Sequence, residues 1–338
     1  MAPSRGDGIA DGKPDLSYPS KLVQTLDAHS GPVNVIKYNH GAKYLLSGST
    51  DRTIRLWNPA LGKEIKCYNG HAQEVLALDI THDNAKFASS GGDRAVFLWD
   101  VPTGSVIRRM QGHFGKINAV AFSPDSQILA SAGFDAKVML WDMRASSRDP
   151  LQTLKEATST VSSLLLPSSP QIIAGSYDGF LRTYDLRFGL LTDDLIGEPI
   201  NSLRPSTVNP EESILVSTNP HAHSSDLDSS GNGNYNGNSN AQNKIRIFDR
   251  KDGSCLQTFR GHQVIPNKWG MIWGYGESHV LAGDKDGALW SWNVLDGKPL
   301  SDHPKAIHKK QITSIEMNPR GKEMITASLD GTIKVWHK

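Results

Sequence analysis

Four segments of the chain carry a histidine, a hydroxyl side chain, an aspartate and a tryptophan at one repeated spacing. The hydroxyl follows the histidine by 18 residues, the aspartate by 22 and the tryptophan by 28. Serine, histidine and aspartate together are the side chains of a hydrolase triad, in which the imidazole activates the hydroxyl for attack on a carbonyl. The four sets are His29, Ser47, Asp51 and Trp57; His71, Ser89, Asp93 and Trp99; His113, Ser131, Asp135 and Trp141; and His308, Thr326, Asp330 and Trp336.

A structural role explains four copies better than catalysis does. A catalytic site needs one accessible nucleophile beside an oxyanion hole, not four equivalent sets. A buried indole N–H, hydroxyl and imidazole each need a hydrogen-bond partner, and a chain from Trp through Ser or Thr and His to Asp satisfies them all. We therefore predict four buried structural tetrads, no catalytic residue and no enzymatic activity.

The elements that position these residues repeat along the chain. Seven apolar segments end in an aromatic residue, at intervals of 42, 42, 43, 64, 44 and 44 residues. The long interval contains residues 220–242, where 13 of 23 positions are Ser, Asn or Gly, a composition typical of a flexible loop. The seven aromatic residues are Trp57, Trp99, Trp141, Tyr184, Phe248, Trp292 and Trp336.

Each repeat has the pattern of four short strands. Apolar stretches alternate with Gly, Asn or Asp turns, as in STDRTIRLW, where the Asp precedes the Trp by six residues. One four-stranded blade cannot bury both of its faces, so we predict seven blades packed radially in a ring. The last repeat supplies three strands, and residues 22–26 precede His29 as residues 255–259 precede His262. We predict that this N-terminal strand completes the last blade and closes the ring.

Composition narrows the class of protein. Lys and Arg total 36 against 35 for Asp and Glu, which argues against the broad basic surface of a nucleic-acid-binding protein. No apolar stretch approaches the roughly 18 residues of a membrane span, and residues 1–20 lack the apolar core of a signal peptide. Cys67 and Cys255 fall in separate repeats, which predicts reduced thiols packed in strands. We expect a monomeric protein of the nucleus and cytoplasm, with a disordered tail over 1–20, one domain over 21–338 and no cofactor.

The tetrads and the period resemble those of the WD-repeat family from residue 22 to the C-terminus. The resemblance implies an all-β, seven-bladed WD-repeat β-propeller closed by the N-terminal strand. Three repeats depart from the family pattern, and the fifth has neither the histidine nor the aspartate. The fourth has Ala157, Ala174, Asp178 and Tyr184 at the tetrad positions, and the sixth has His262, Ala282, Asp286 and Trp292.

Two further clusters are weaker candidates for chemistry. His221, His223, Asp226 and Asp228 could suggest a metal site, but a flexible loop without supporting side chains seldom holds one, so we predict no bound metal. Lys305, His308, Lys309 and Lys310 could contact phosphate, but a solvated face explains them better because His308 belongs to a tetrad.

The stretch SSGGDRAVFLWDVPTGSVIRRMQGHFGKINAVAFSP is similar to the mitogen-activated protein kinase organiser family, also called the WD repeat-containing protein 83 family. The fourth repeat, IIAGSYDGFLRTYDLRFGLL, is similar as well, and the match fades in the fifth. The resemblance implies a scaffold of kinase cascades and a component of catalytically active spliceosomes. Splicing factors, kinases or both are then the expected partners.

The WD-repeat resemblance also implies where partners bind. In the family, the loops that carry the tetrad His and Asp line the narrower top face, and the residue before each Asp points to its rim. Exposed aromatic side chains there are preferred anchors. Two further aromatic residues, Trp269 and Trp273, are expected in the core rather than at a contact surface, and Trp269 is the better surface candidate of the two. The rim positions are Thr50, Gly92, Phe134, Tyr177, Lys285 and Leu329.

A ligase function remains as the alternative. DAKVMLWDMR and DGFLRTYDLR resemble the WDxR box of substrate receptors for cullin-based ubiquitin ligases. That resemblance implies that Arg144 and Arg187 lie on the bottom rim and contact the ligase adaptor.

Overall fold

The chain folds into seven antiparallel sheets arranged in a ring. The computed structural model describes residues 18–167, 171–219, 243–264, 269–301, 304–318 and 323–338. Six sheets have four strands and one has three, and neighbouring strands within each sheet are antiparallel. The seven-bladed WD-repeat propeller that the repeat predicts is confirmed. The insertion at 220–242 and most of the tail at 1–20 lie outside the described residues.

The strands follow the repeat from blade to blade. The closing strand is β1 (Lys21–Asp27). Blades one to three are β2 (Val33–Tyr38), β3 (Leu45–Ser49), β4 (Thr53–Asn58) and β5 (Lys63–Asn69); β6 (Val75–Ile80), β7 (Lys86–Gly91), β8 (Ala95–Asp100) and β9 (Val106–Gln111); and β10 (Ile117–Phe122), β11 (Ile128–Gly133), β12 (Val138–Asp142) and β13 (Gln152–Leu154). Blades four and five are β14 (Val161–Leu165), β15 (Gln171–Ser176), β16 (Phe180–Asp185) and β17 (Leu190–Leu195); and β18 (Ile200–Pro205), β19 (Ser213–Thr218), β20 (Lys244–Asp249) and β21 (Cys255–Phe259). Blades six and seven are β22 (Met271–Trp273), β23 (His279–Gly283) and β24 (Leu289–Asn293); and β25 (Ile312–Met317), β26 (Glu323–Ser328) and β27 (Thr332–His337).

The burial of each strand follows its place in the blade. The second strands are buried over nearly their whole length, as in β3 and β26, because neighbouring blades cover both of their faces. The outermost strands are mostly exposed, as in β9 and β17. The core therefore lies between blades, where apolar side chains from two adjacent sheets interlock, for example Ile36 and Leu45 of blade one with Val335 of blade seven.

The N-terminal strand closes the ring as predicted. β1 pairs antiparallel with β27, with Leu22 opposite Trp336 and Leu26 opposite Ile333. The spare strand thus becomes the outermost strand of blade seven. Because the first and last segments of the chain share one sheet, blade seven cannot separate from blade one without breaking this ladder.

Blade six departs from the prediction of four strands per repeat. Its outer segment contacts β24 through two isolated bridges, Ala288 to Ala306 and Trp292 to Pro299, so its sheet has three strands among the described residues. Proline lacks the backbone N–H that a ladder needs, and both Pro299 and Pro304 lie in that segment.

Two smaller expectations concern Trp269 and the cysteines. The expected core position of Trp269 and Trp273 is confirmed, because Trp269 is 1% exposed and both indoles pack in the core of blades five and six. Cys67 and Cys255 are free thiols, but they are exposed rather than packed, because β5 and β21 are outermost strands. No helix in the described part of the chain has the length and apolar character needed to span a membrane.

Candidate functional site

The four tetrads are hydrogen-bonded chains that join three elements of a blade. In blade one the Trp57 indole N–H donates to the Ser47 hydroxyl at 2.9 Å, and Ser47 Oγ lies 2.7 Å from His29 Nε2. His29 Nδ1 lies 2.8 Å from an Asp51 carboxylate oxygen. A carboxylate can only accept, so Nδ1 carries the proton, and Ser47 donates to the bare Nε2. Each donor in this tetrad therefore has an acceptor.

The same chain of contacts recurs in blades two, three and seven. The histidine-to-aspartate distance is 2.7 Å for His71, 2.9 Å for His113 and 3.2 Å for His308. The indole-to-hydroxyl distance is 2.8 Å in blades two and three and 3.0 Å in blade seven. The structure therefore brings together all sixteen side chains that the spacing grouped, four in each of four blades.

Geometry alone does not separate a tetrad from a hydrolase triad, because Ser, His and Asp are linked in the same order in both. Access separates them. Ser47, Ser89, Ser131 and Thr326 are 0% exposed, and each hydroxyl already accepts a hydrogen bond from a tryptophan. A substrate cannot reach any of these oxygens without displacing the core of the blade.

The electrostatics of the tetrads favour neutral histidines and charged aspartates. Burial lowers the pKa of His29 and of His308, in spite of the aspartate beside each. Burial alone would raise the pKa of the Asp51 carboxyl, but hydrogen bonds from Thr53 and the neighbouring His29 outweigh it and hold the pKa below its usual value. The Asp330 pKa is lowered in the same way, by hydrogen bonds from His308 and Thr332.

The tetrads also order the loops at one end of the ring. The backbone N–H that follows the tetrad histidine donates to the aspartate carboxylate, at 3.2 Å from Ser30 in blade one and 3.1 Å from Phe114 in blade three. A second contact joins the two loops of a blade, as from the Phe134 N–H to the Lys116 carbonyl at 2.8 Å. We call this set of loops the top face. Its side chains are therefore displayed on a backbone that is already ordered.

Blade four uses a different buried network. Arg182 donates to both carboxylate oxygens of Asp178, at 3.1 and 2.8 Å, and both side chains are buried. Ala157 and Ala174 leave the space of the missing imidazole and hydroxyl, and Arg182 extends from β16 into the same blade. A single guanidinium nitrogen, Arg182 Nη1, makes both contacts, so an arginine replaces the histidine as the partner of the aspartate.

Blade five replaces the aspartate as well. Glu198, from the loop before β18, pairs with the Arg246 guanidinium at 3.0 Å and with Lys244, and it accepts from the Thr218 hydroxyl at 2.7 Å. Sequence reasoning missed both networks. A signal was present, because Arg55, Arg182 and Arg246 each stand two residues before the aromatic residue of their repeat.

Blade six shows that Asp286 was the wrong partner for His262. The buried acid of this blade is Asp284, which accepts from the Gln263 N–H at 3.1 Å and the Trp290 indole at 2.7 Å. Asp286 keeps the six-residue spacing to Trp292, but it is exposed in the turn that β24 follows. Without a hydroxyl at Ala282, the Trp292 indole donates to the Arg260 carbonyl at 3.0 Å instead.

Among the described residues, His262 therefore has no hydrogen-bond partner at either ring nitrogen. Its ring centroid lies 4.9 Å from that of Trp269 and 5.3 Å from that of Trp292. Burial lowers its pKa to about 3, so the imidazole is neutral. In this blade the histidine is an aromatic packing element, not a link in a tetrad.

The predicted rim residues differ in exposure. Thr50, Phe134 and Lys285 are exposed on the top face, whereas Tyr177 and Leu329 are half-buried, and burial raises the pKa of the Tyr177 phenol. Lys285 is not the rim equivalent in blade six. In blade six, the residue whose N–H donates to the facing loop, as Phe134 does in blade three, is Gly283. Lys285 stands two residues after it.

The remaining candidates are two arginines, four basic side chains near the tetrad of blade seven, and the insertion. Arg144 and Arg187 are exposed in the loops after β12 and β16, at the opposite end of the ring, which we call the bottom face. Lys305, Lys309 and Lys310 are exposed, and His308 is buried in its tetrad. The histidines and aspartates of the insertion lie outside the described residues, and within those residues no cluster of His, Cys, Asp or Glu is placed to hold a metal.

Comparisons with known proteins agree with this architecture. The family model for the WD domain, G-beta repeat, matches residues 20–58, 62–100, 104–142, 148–185 and 301–337. The chain is 39% identical over 320 residues to the WD repeat domain-containing protein 83 of Rattus norvegicus, covering 95% of this chain and 93% of the relative. The Xenopus tropicalis protein of that name is 42% identical, with 94% and 92% covered.

The chain belongs to the WD repeat domain-containing protein 83 family. The human protein of the same name is 37% identical, with 95% of this chain and 93% of that protein covered. The resemblance noted in the sequence is thus confirmed. As a WD-repeat propeller of this family, the protein is of a kind that typically serves as a non-catalytic interaction scaffold.

Proposed function

We propose that this propeller is a stoichiometric scaffold in a nuclear splicing assembly. The observation that carries the proposal is membership in the WD repeat domain-containing protein 83 family over nearly the whole chain. The residues of blades two to four are those whose resemblance implies a spliceosomal component. The proposal extends from there to residence in both nucleus and cytoplasm and to a second role in organising kinases.

The surface chemistry supports protein partners over RNA. The formal net charge is +1, so the chain offers no broad positive field for a phosphate backbone. The top face presents large apolar side chains such as Phe134, which is 68% exposed, on loops that the tetrads already order. Such side chains lose little conformational freedom on binding, which favours specific protein contacts.

Affinity purification from nuclear extract tests the proposal. The tagged full-length protein should recover late-stage spliceosomal proteins in a near-stoichiometric ratio. Phe134→Ala should reduce that recovery with an unchanged melting temperature, because the side chain is exposed and contributes little to the core. Recovery of kinases without splicing factors would retain the scaffold and reject the splicing assembly.

A second candidate function rests on the bottom face. Arg144 and Arg187 are exposed on neighbouring blades, each in a loop closed by an aspartate two residues earlier, with N-to-Oδ1 distances of 2.8 and 2.9 Å. This arrangement is compatible with adaptor binding by a ligase substrate receptor. Recovery of a cullin-ligase adaptor and no splicing factor, with the association lost in Arg144→Ala/Arg187→Ala, would favour the ligase function.

A further inference from the structure

Blade three carries two exposed phenylalanines side by side on the top face. Phe114 is 75% exposed in the loop before β10, and Phe134 is 68% exposed in the turn before β12. The backbone that follows Phe114 adjoins Phe134, because a Cβ added at Gly115 would lie 2.9 Å from the Phe134 Cβ and 3.1 Å from its ring. We call Phe114, Phe134 and the adjoining Lys137 the blade-three patch.

The patch is specific to this blade. Equivalent positions are identified by their contacts, since the first residue donates its N–H to the tetrad aspartate and the second donates to the facing loop. Blade three has an aromatic residue at both. The other described pairs are Ser30 with Thr50, Ala72 with Gly92, Thr158 with Tyr177, Gln263 with Gly283 and Lys309 with Leu329.

The backbone that carries the two rings is ordered before any partner arrives. The Phe114 N–H donates to Asp135 at 3.1 Å, and the Phe134 N–H donates to the Lys116 carbonyl at 2.8 Å. The Lys137 ammonium lies 4.7 Å from the centroid of the Phe114 ring. Ordering these side chains on binding therefore costs little conformational entropy, which is the condition for an efficient anchor site.

The charges that a partner would meet here are positive. Lys116 is exposed and pairs with Glu74 at 2.8 Å, whereas Lys137 and Arg94 form no ion pair with the described residues. Arg94 directly precedes β8 of blade two, whose first residue is paired with Gln111, three residues before Phe114. The tetrad carboxylates nearby are enclosed, since the Asp93 side chain is 4% exposed and Asp135 is 8% exposed, each beside its histidine. An acidic partner complements this surface.

We propose that the blade-three patch binds an acidic peptide segment of a partner protein, with one apolar side chain of that segment against Phe114 and Phe134. The proposal rests on the scaffold function above and names the partner chemistry of its top face. The carboxylates of the peptide pair with Lys137 and Arg94, and the rings supply the desolvated centre of the contact. Single-stranded RNA would need a continuous basic groove beside the rings, and here two free cations adjoin them.

Selection from a random peptide library against the immobilised full-length protein tests the proposal. We expect enrichment of peptides that combine Asp or Glu with one large apolar residue. A synthetic copy of the leading peptide should bind at least about tenfold more weakly to Phe114→Ala/Phe134→Ala, as for the loss of hot-spot side chains. Its affinity should fall with added salt and in Lys137→Gln.

Matched controls keep the result interpretable. Phe188→Ala removes an equally exposed phenylalanine, 71% exposed on the bottom face, and should leave peptide affinity unchanged. The double variant should melt with the wild type, since neither ring belongs to a core cluster of the described residues. No acidic consensus, equal binding by the double variant, or a uridine oligonucleotide that binds the patch in place of peptide would overturn the proposal. Splicing factors recovered without an acidic consensus would leave the scaffold standing and reject this surface alone.

Discussion

The unpartnered His262 predicts an acid sensitivity that one substitution should remove. His262 is 2% exposed and has its pKa lowered to about 3, against an ordinary value of 6.5. Neither ring nitrogen has a hydrogen-bond partner, and the ring packs on Trp269 and Trp292. His262→Phe retains an aromatic ring in this place and removes the titrating group.

The sign follows from proton binding. A histidine with a lowered pKa stays neutral when folded, whereas the unfolded chain takes up a proton below about pH 6.5, so stability is lost as the pH falls from about 6.5 towards 3. Between about pH 7 and pH 5 this linkage amounts to about 2 kcal/mol. The variant should escape that loss. At neutral pH it should be at least as stable as the wild type, because no buried polar atom is left unpaired.

Urea unfolding followed by tryptophan fluorescence at several pH values measures both effects. All other titratable groups are the same in both proteins, so their shared contribution cancels in the difference. His82→Phe is the matched control, because His82 is exposed, and it should decline with acid in parallel with the wild type. A parallel decline of His262→Phe as well would show that the buried imidazole takes up its proton without cost, which would refute the reasoning.

Three further predictions concern the stability of the ring. Trp99→Ala removes an indole 1% exposed, stacked on Phe87 with centroids 5.8 Å apart, and should cost about 3–5 kcal/mol by urea unfolding; a cost below about 1 kcal/mol would contradict its central place in blade two. Arg182→Leu leaves a buried carboxylate unpaired and should cost about 3–5 kcal/mol, whereas Arg187→Ala, on the surface, should change stability by less than about 0.5 kcal/mol. Deleting residues 1–26 removes most of β1 and should lower the melting temperature and favour aggregation through the exposed edge of β27, while deleting residues 1–17 leaves the ladder intact; equal melting temperatures would contradict closure by β1.

The different buried networks around the ring share one requirement. Each blade must satisfy polar groups where its top loops meet the second and third strands. Blades one, two, three and seven do so with a tetrad, and blades four and five with an arginine and a carboxylate. Blade six places Asp284 against Trp290 and leaves His262 to pack. The internal chemistry of the blades therefore varies around the ring.

The number of blades, their order, the closing strand and the tetrad membership could all be read from spacing along the chain. These features depend on local periodicity, because a blade is one contiguous segment and its hydroxyl, acid and indole occupy set places on adjacent strands. The histidine 18 residues before the hydroxyl reaches it because the blade geometry brings the preceding loop back over the second strand. Repetition in four segments makes that inference secure.

Sequence spacing did not predict the hydrogen-bond partners that depend on contacts formed only in the folded ring. Asp284 stands 22 residues after His262, and Asp286 stands six residues before Trp292, so each fits one part of the tetrad spacing. The turn before β24 decides which of the two is buried. Arg182 and Glu198 stand outside the tetrad spacing, and their partners Asp178 and Arg246 are set by contacts in the folded blade. The exposure of Phe114, the burial of Trp269 and the missing outer strand of blade six depend on how loops from two neighbouring repeats pack together. Such packing is set by the assembled ring, so no single repeat encodes it.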